Sequence, residues 1–433
     1  MASSWPIVSI DDIKASSKAS IAIGPFGSRL KADSYIPSGV PVIRGNNLNG
    51  ARFLTNEFVY VSDEKANELT SSNVYADDLV FPHRGNIGSV GLVPDDLPRY
   101  LLSTSLMKLT VNKGLVDPTF LFYYFTSEIG KHELLKNASQ AGTPGIATPL
   151  SSLKSIKFQL PPLDEQRRIA HILGTLDDKI ELNRQLNATL EQLARTLFQS
   201  WFVDFDPVRA KASGEPEESI CRRLGLTPEL LALFPAALED STMGEVPAGW
   251  TASSVDEEFN LIMGQSPPGD TYNSMSDGLP FYQGRTDFGF RFPTHRIYCT
   301  APTRFASIGD TLISVRAPVG DINMANERCA IGRGVAAARH KSGSRIYTYE
   351  MMRNLKPKFD SFNGEGTVFG SINKKAFHDM KCIAPDQSSI EAFDKMLAAV
   401  EISVENNELE SRTLAALRDE LLPKLLSGDL RLN

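Results

Sequence analysis

Long hydrophobic runs are missing from this chain. The longest aromatic run, FLFYYF at 120–125, is far too short to span a bilayer. The start, MASSWPIVSIDDIK, lacks the basic stretch and apolar core of a secretory signal. A membrane partner is therefore not expected, and a reducing cytoplasm fits best. Cysteine is scarce, with 4 residues, at 221, 299, 329 and 382. No two form C-x-x-C, which argues against a disulfide scaffold and a zinc ribbon. The 6 histidines never stand four apart, so no helical metal site is expected. Signatures of chemistry are missing too. There is no G-x-x-x-x-G-K-[ST] phosphate loop. The Pro-Pro pairs sit only in QLPPL and QSPPG, so the Asn-Pro-Pro-aromatic tetrapeptide of amino-methyltransferases is absent. The loop GRGVAAAR at 332–339 falls short of a dinucleotide fingerprint. No catalytic residue is assigned, and no cofactor is expected on this chain.

What is present is a chain of 433 residues, enough for two to four domains. Its net charge of −7 is unevenly spread. Residues 161–240 hold 9 Lys+Arg against 14 Asp+Glu, and residues 386–433 hold 5 against 10. Residues 1–160 and 241–385 are close to neutral, at 15 against 14 and 16 against 14. Between 283 and 345 stand ten basic residues, nine of them arginine, against four acids. The arginine fork suits phosphates and guanine edges. A solvated face laced with ion pairs would give the same count.

The chain repeats itself. LPPLDEQRRIAHIL at 160–173 has a worn copy, APDQSSIEAFDKML, at 384–397. At the same offset of 224, Tyr123 falls on Tyr347, Lys157 on Lys381, Leu173 on Leu397, and Asn183 on Asn407. Earlier the offset grows, as unequal loops require. DDLVFPHRGNIG at 77–88 matches GDTLISVRAPVG at 309–320, aligning Asp78, Arg84 and Gly88 with Asp310, Arg316 and Gly320. PVIRG at 41–45 matches PFYQG at 280–284, and Gly24-Pro25 and Gly264 open each series. Each half is thus a globular module followed by a helix.

The modules read as mixed α/β. Short β-rich runs, EFVYV at 57–61, DLVF at 78–81 and TLISV at 311–315, alternate with Gly/Pro/Asn turns. A helix begins near Asp117-Pro118, and core packing suits its Phe120, Tyr123 and Tyr124 better than base stacking. Between 169 and 201, Ile169, Leu173, Leu176, Ile180, Leu186, Leu190, Leu193, Leu197 and Trp201 trace a coiled-coil-like seam. Asn183 sits at its one irregularity, and Asn407 takes the same place in the second helix. One asparagine per helix suits an antiparallel pair whose register the amides fix. Two asparagines facing solvent at a bend remain the alternative. Residues 201–250 read as an ordered acidic connector with a short helical piece around 226–234.

These residues resemble the specificity (S) subunit of type I restriction–modification systems, along the whole chain. The stretches that carry the resemblance are GTPGIATPLSSLKSIKFQLPPLDEQ, LPPLDEQRRIAHILGTLDDKIELNRQLN and SWFVDFDPVRAK. The second helix start departs from the family's Pro-Pro-Leu-x-Glu-Gln, which questions any partner contact there that needs the equivalents of Glu165 and Gln166. The resemblance implies an α+β fold with two α/β target-recognition domains, residues 1–160 and 241–385. A central helical spacer and connector (161–240) and a C-terminal helical spacer (386–433) would separate them, the two long helices packed as an antiparallel coiled-coil-like pair in a pseudo-twofold internal repeat. It also implies a non-catalytic, cytoplasmic subunit of a prokaryotic cell. That subunit reads a split, asymmetric site on double-stranded DNA and docks two modification (M) subunits and, in the full complex, restriction (R) subunits. S-adenosylmethionine, ATP and Mg are expected on those partners. A stand-alone methyltransferase-like enzyme and a scaffold without a DNA role are the rival readings.

Polar residues in turns at matching places are the DNA-binding candidates. Arg44 and Asn46 flank Gly45, and Gln283 and Arg285 flank Gly284. Arginine can bridge guanine, and asparagine or glutamine adenine. Arg84 with Asn86, and Arg316, form a second set, and Thr143 and Thr367 in Gly-Thr turns a third, suited to phosphate. Residues shared by both modules cannot easily encode two different half-sites. For Arg84 and Arg316 three roles stay open: base readout, phosphate contact, or structural pairing with Asp78 and Asp310. The unshared Arg285, Arg291, Arg296 and Arg333 are better suited to sequence reading.

Overall fold

Pro161 and Pro162 close a strand and open a helix. The computed structural model describes residues 5–48, 52, 54, 58–139, 144–363 and 370–431. The first long helix runs Leu163–Phe202. Gln166 is fully buried at its start. Its side-chain amide donates to the carbonyls of Pro161 (2.7 Å) and Leu115 (3.2 Å) and accepts from the Asp117 amide (2.9 Å). The second long helix runs Gln387–Ser427 and starts by other means. The Asp386 carboxylate accepts from the Ser389 amide and from the Trp250 indole, both at 2.9 Å. The worn copy has therefore exchanged a glutamine staple for an aspartate cap. Gln166 is engaged inside the fold rather than offered to a partner.

The chain divides into two compact units, residues 1–183 with 409–433, and residues 184–408. In the first, strand Ile7–Ser9 pairs antiparallel with Lys157–Gln159. One four-stranded sheet runs in the order Ile21–Ile23, Leu106–Leu109, Leu79–Pro82, Gly91–Leu92. The other runs Val59–Val61, Val40–Ile43, Tyr100–Leu102, Asn73–Val74, its two middle strands parallel. The helix Pro118–Thr126 is capped by Asp117, whose carboxylate accepts from the Phe120 amide at 2.9 Å. Phe120, Tyr123 and Tyr124 are buried in the core, as expected for an aromatic stripe.

In the second unit, Thr251–Ser254 pairs with Lys381–Ala384. A four-stranded sheet runs Phe259–Met263, Val335–His340, Thr311–Val315, Val319–Met324. A five-stranded one places Leu279–Tyr282 parallel to Cys329–Ile331. The connector is more helical than the sequence suggests, with helices Asp206–Ala212, Glu217–Leu224 and Pro228–Ala232 followed by a hairpin of Leu238–Ser241 and Gly244–Pro247. Its Phe205 and Phe234 pack on Trp250 and Trp201.

The apolar seam departs from expectation in its later half. Ile169 and Leu173 are buried, but Leu186 and Leu193 are 45% and 54% exposed, and Leu417 is 43% exposed. Asn183, Asn187 and Glu191 turn inward instead. They do so because each finds a partner, and a satisfied polar group can be buried. In the first unit Asn183 donates to Glu410 (2.8 Å) and Ser411 (3.3 Å), and Arg418 binds Asp177 (2.6 Å). In the second unit Asn407 donates to Asn187 (2.8 Å), which donates to the Val404 carbonyl (3.2 Å).

A further correction concerns Arg291. Its side chain is 1% exposed, which removes it from the DNA candidates. Its guanidinium lies 3.6 Å from the Tyr349 ring centroid, pairs with Glu401, and stands 3.5 Å from Glu191. Arg353 joins the cluster, 3.1 Å from Glu191 and 3.3 Å from Glu350. Removing one partner of such a cluster strands the others in a poorly solvated place. Arg291→Ala should cost about 3–5 kcal/mol of stability, read as a lower thermal midpoint, with no change in any DNA sequence preference.

The same cluster sets a pH dependence. Burial pushes the Glu350 carboxyl up to about 7 from an ordinary value of 4.5, against the pull of Arg353 and Arg291 and with help from Glu191 and Glu401. Between those values the folded chain holds a proton that the unfolded chain has released. Stability therefore falls as pH rises from 4.5 to about 7 and levels off above. Glu350→Gln should remove that loss: its thermal midpoint gains on the parent chain through this window and keeps a constant lead beyond it.

Candidate nucleic-acid interface

The two units build the same cleft from the same backbone hydrogen bonds. In the first, the Gly24 amide donates to the Leu106 carbonyl, Ser103 to Ile43, His83 to Ser105, Gly85 to Pro144 and Ile146 to His83. In the second, Gly264 donates to Val335, Gly332 to Tyr282, Val315 to Gly334, Ala317 to Gly370 and Ile372 to Val315. Each bond has its counterpart, so Gly24 corresponds to Gly264, Ser103 to Gly332, Arg84 to Arg316, and Arg44 to Gln283. A Cβ on Gly24 would stand 1.8 Å from the Ser103 carbonyl oxygen, and one on Gly264 2.2 Å from that of Gly332. Only glycine lets these strand ends come so close.

Each cleft encloses about 200 Å³. Arg84 lines the first with Gly24, Phe26, His83 and Thr104. Arg316 lines the second with Gly264, Arg333, Ser371 and Asn373. Both arginines are exposed, and neither guanidinium has a hydrogen-bond or ion-pair partner among the described residues. The structural pairing with Asp78 and Asp310 does not occur. Asp78 is buried and accepts from Thr110 (2.6 Å) and the Tyr75 amide (3.0 Å), with Lys108 3.7 Å away. Asp310 takes Arg339 (2.8 Å) and the Ser307 amide (2.6 Å). The two acids hold turns, which leaves the shared arginines available. His83, beside Arg84, is kept below its ordinary pKa by burial and lies 3.2 Å from the Thr104 carbonyl.

The remaining candidates are scattered around these clefts. Arg333 is exposed in the second cleft, and Gln283 lies close by, its carbonyl oxygen 2.2 Å from a Cβ placed on Gly334. Arg285 is exposed and paired with Asp321 at 2.9 Å. Arg296 is half exposed but its Nε donates to the buried Asp287 at 2.8 Å, a turn-holding bond. Asn46 is exposed, whereas Arg44 is half-buried and its amide donates to Asn47 at 2.8 Å. Asn86 is exposed and donates locally to Ser89 at 2.8 Å. Thr143 and Thr367 lie outside the described residues. Sequence reasoning did not single out Phe26 and Thr104, which line the first cleft, or Ser266, 3.4 Å from the Arg333 Nε, because they differ between the halves and a search for repeats selects what is alike. Among the described residues no group of three or more His, Cys, Asp or Glu could hold a metal, and no helix is long and apolar enough to cross a membrane.

Comparison with known proteins finds relatives along most of the chain. The family model of the type I restriction modification DNA specificity domain matches residues 23–192. The chain is 27% identical over 404 residues to the provisionally named MjaX type I restriction enzyme specificity subunit of Methanocaldococcus jannaschii, covering 91% of this chain and 88% of that one. It is 26% identical over 439 residues to the HindI specificity subunit of Haemophilus influenzae, covering 88% and 94%. The solved structure of a type I restriction-modification system S subunit from M. genitalium shares the fold, with a TM-score of 0.56, 16% identity, and coverage of 97% and 96%. Along most of its length the chain is thus similar to specificity subunits of type I restriction enzymes, and over residues 23–192 to their DNA specificity domain.

If Arg84 and Arg316 contact phosphate, Arg84→Ala and Arg316→Ala should each weaken DNA binding by the assembled methyltransferase on all sequences alike. Each should lower the slope of log affinity against log salt by about 1. Fluorescence anisotropy across a salt series checks both.

Proposed function

We propose that this chain is the DNA-reading subunit of a type I restriction–modification complex and does no chemistry itself. Each recognition domain reads one half of a bipartite, asymmetric site from the major groove. Two modification subunits dock on the helices and bring S-adenosylmethionine to the DNA, and restriction subunits bring ATP and Mg in the full complex. The observation that carries this reading is the pair of equivalent clefts, each with an exposed, uncommitted arginine, built on otherwise different linings. A module duplicated in frame and varied in lining suits a reader of two unlike half-sites.

In the same reading the two long helices pack as an antiparallel coiled-coil-like pair, relate the two domains by a pseudo-twofold axis, and set the gap between the half-sites. Their 40 and 41 residues correspond to about 60 Å of helix each, longer than the 34–36 Å of one DNA turn. Support comes from helix contacts that run in opposite senses: Asp177 meets Arg418 and Asn183 meets Glu410 in one unit, while Asn187 meets Asn407 and Val404 in the other. Methylome sequencing of a host that expresses this chain with its modification subunits tests the proposal. A split motif of two unlike parts and a fixed gap is expected. A continuous palindrome, or methylation without sequence preference, would count against it.

A further inference from the structure

The two clefts share a frame and differ in their lining. Thr104 and Arg333 take the same place, each one residue beyond the amide that bonds the neighbouring strand, Ser103 to Ile43 and Gly332 to Tyr282. Phe26 and Ser266 correspond as well, each two residues past Gly24 or Gly264. In the first unit Phe26 is 73% exposed and Thr104 is exposed beside it. Single exposed apolar residues are common; what singles out Phe26 is that it lines the same cleft as Arg84. In the second unit the Arg333 Nε stands 3.4 Å from the Ser266 hydroxyl, and both terminal guanidinium nitrogens lack a partner among the described residues. One lining thus presents an aromatic ring and a methyl group. The other presents a guanidinium steadied at one nitrogen.

We infer that these positions specify one base in each half-site. Arg333 takes a guanine, through its O6 and N7 edge, and Phe26 with Thr104 takes a thymine, through its 5-methyl group. The inference rests on the DNA-reading function proposed above. Division of labour supports it. Arg84 and Arg316 are the same in both modules, so they can anchor phosphate but cannot encode unlike sequences. Thr104 and Phe26 in one cleft and Arg333 in the other share the lining with them, and they differ in the direction the major groove distinguishes, a donor fork against an apolar contact.

The test uses the full chain assembled with its modification subunits and compares methylomes of the parent, Arg333→Ala, and the double variant Phe26→Ser with Thr104→Arg. All the changed side chains are at the cleft surface, and gel filtration of the assembled complex separates loss of fold from loss of reading. A parent without a split motif defeats the DNA-reading function itself. Given a split motif, Arg333→Ala should relax one guanine in one half, with discrimination there falling about 10- to 100-fold and every other position kept. The double variant should replace a thymine requirement in the other half by guanine. An unchanged motif, relaxation at a base other than guanine, or uniform loss at all positions would overturn the assignment.

Discussion

A guanidinium held against acidic residues of the long helices fastens each module to its own stretch of helix. In the second unit Arg291 sits between Glu191 and Glu401 and stacks on Tyr349. In the first, Arg52 pairs with Asp178, while Asp177 accepts from the Tyr123 hydroxyl and from Arg418, both at 2.6 Å. Such clusters add little net stability over a well-packed apolar contact, yet losing one partner is costly. That asymmetry suits a constraint on orientation. A helix face made only of leucine would let a module slide; a buried fork against fixed carboxylates has one good geometry.

This constraint also sorts the arginines. The basic run between 283 and 345 looks uniform in sequence, but its members divide by commitment. Arg291 is buried, Arg339 holds Asp310, Arg296 holds Asp287, and Arg328 lies 4.5 Å over the Phe305 ring. Arg316 and Arg333 converge on one cleft with no acid among the residues lining it. The acids of the helices and turns thus draw off the structural arginines. What is left exposed and without an acidic partner marks the surface that can meet a polyanion.

Much of this was legible in the residues. The paired prolines, the Asp117-Pro118 start and the repeat of Asp-x5-Arg-x3-Gly placed the first helices, the strands and the Arg84/Arg316 correspondence. The seam was legible at Ile169, Leu173 and Trp201 but not at Leu186 and Leu193. A hydrophobic count follows Leu186 and Leu193, whereas burial follows Asn183 and Asn187, whose partners lie on the other helix more than two hundred residues away, and Glu191, whose partners Arg291 and Arg353 are 100 and 162 residues away. For the same reason Arg291 read as a DNA-binding candidate: Glu401, which pairs with it, is 110 residues distant. Local pattern reports polarity, and only the folded chain reports whether a polar group is satisfied. The clefts were half legible, since repetition pointed to the shared arginine and hid the varied residues beside it.

Crosslinking tests the central claim, that both units present the same cleft to DNA, most directly. Cysteine introduced at Arg84 or Arg316, in the chain assembled with its modification subunits, can be captured by a duplex carrying thiol-reactive groups along its backbone. The account predicts capture in one half of the split site from position 84 and in the other half from position 316. Capture of both in the same half, or at neither position while specific binding persists, would contradict it.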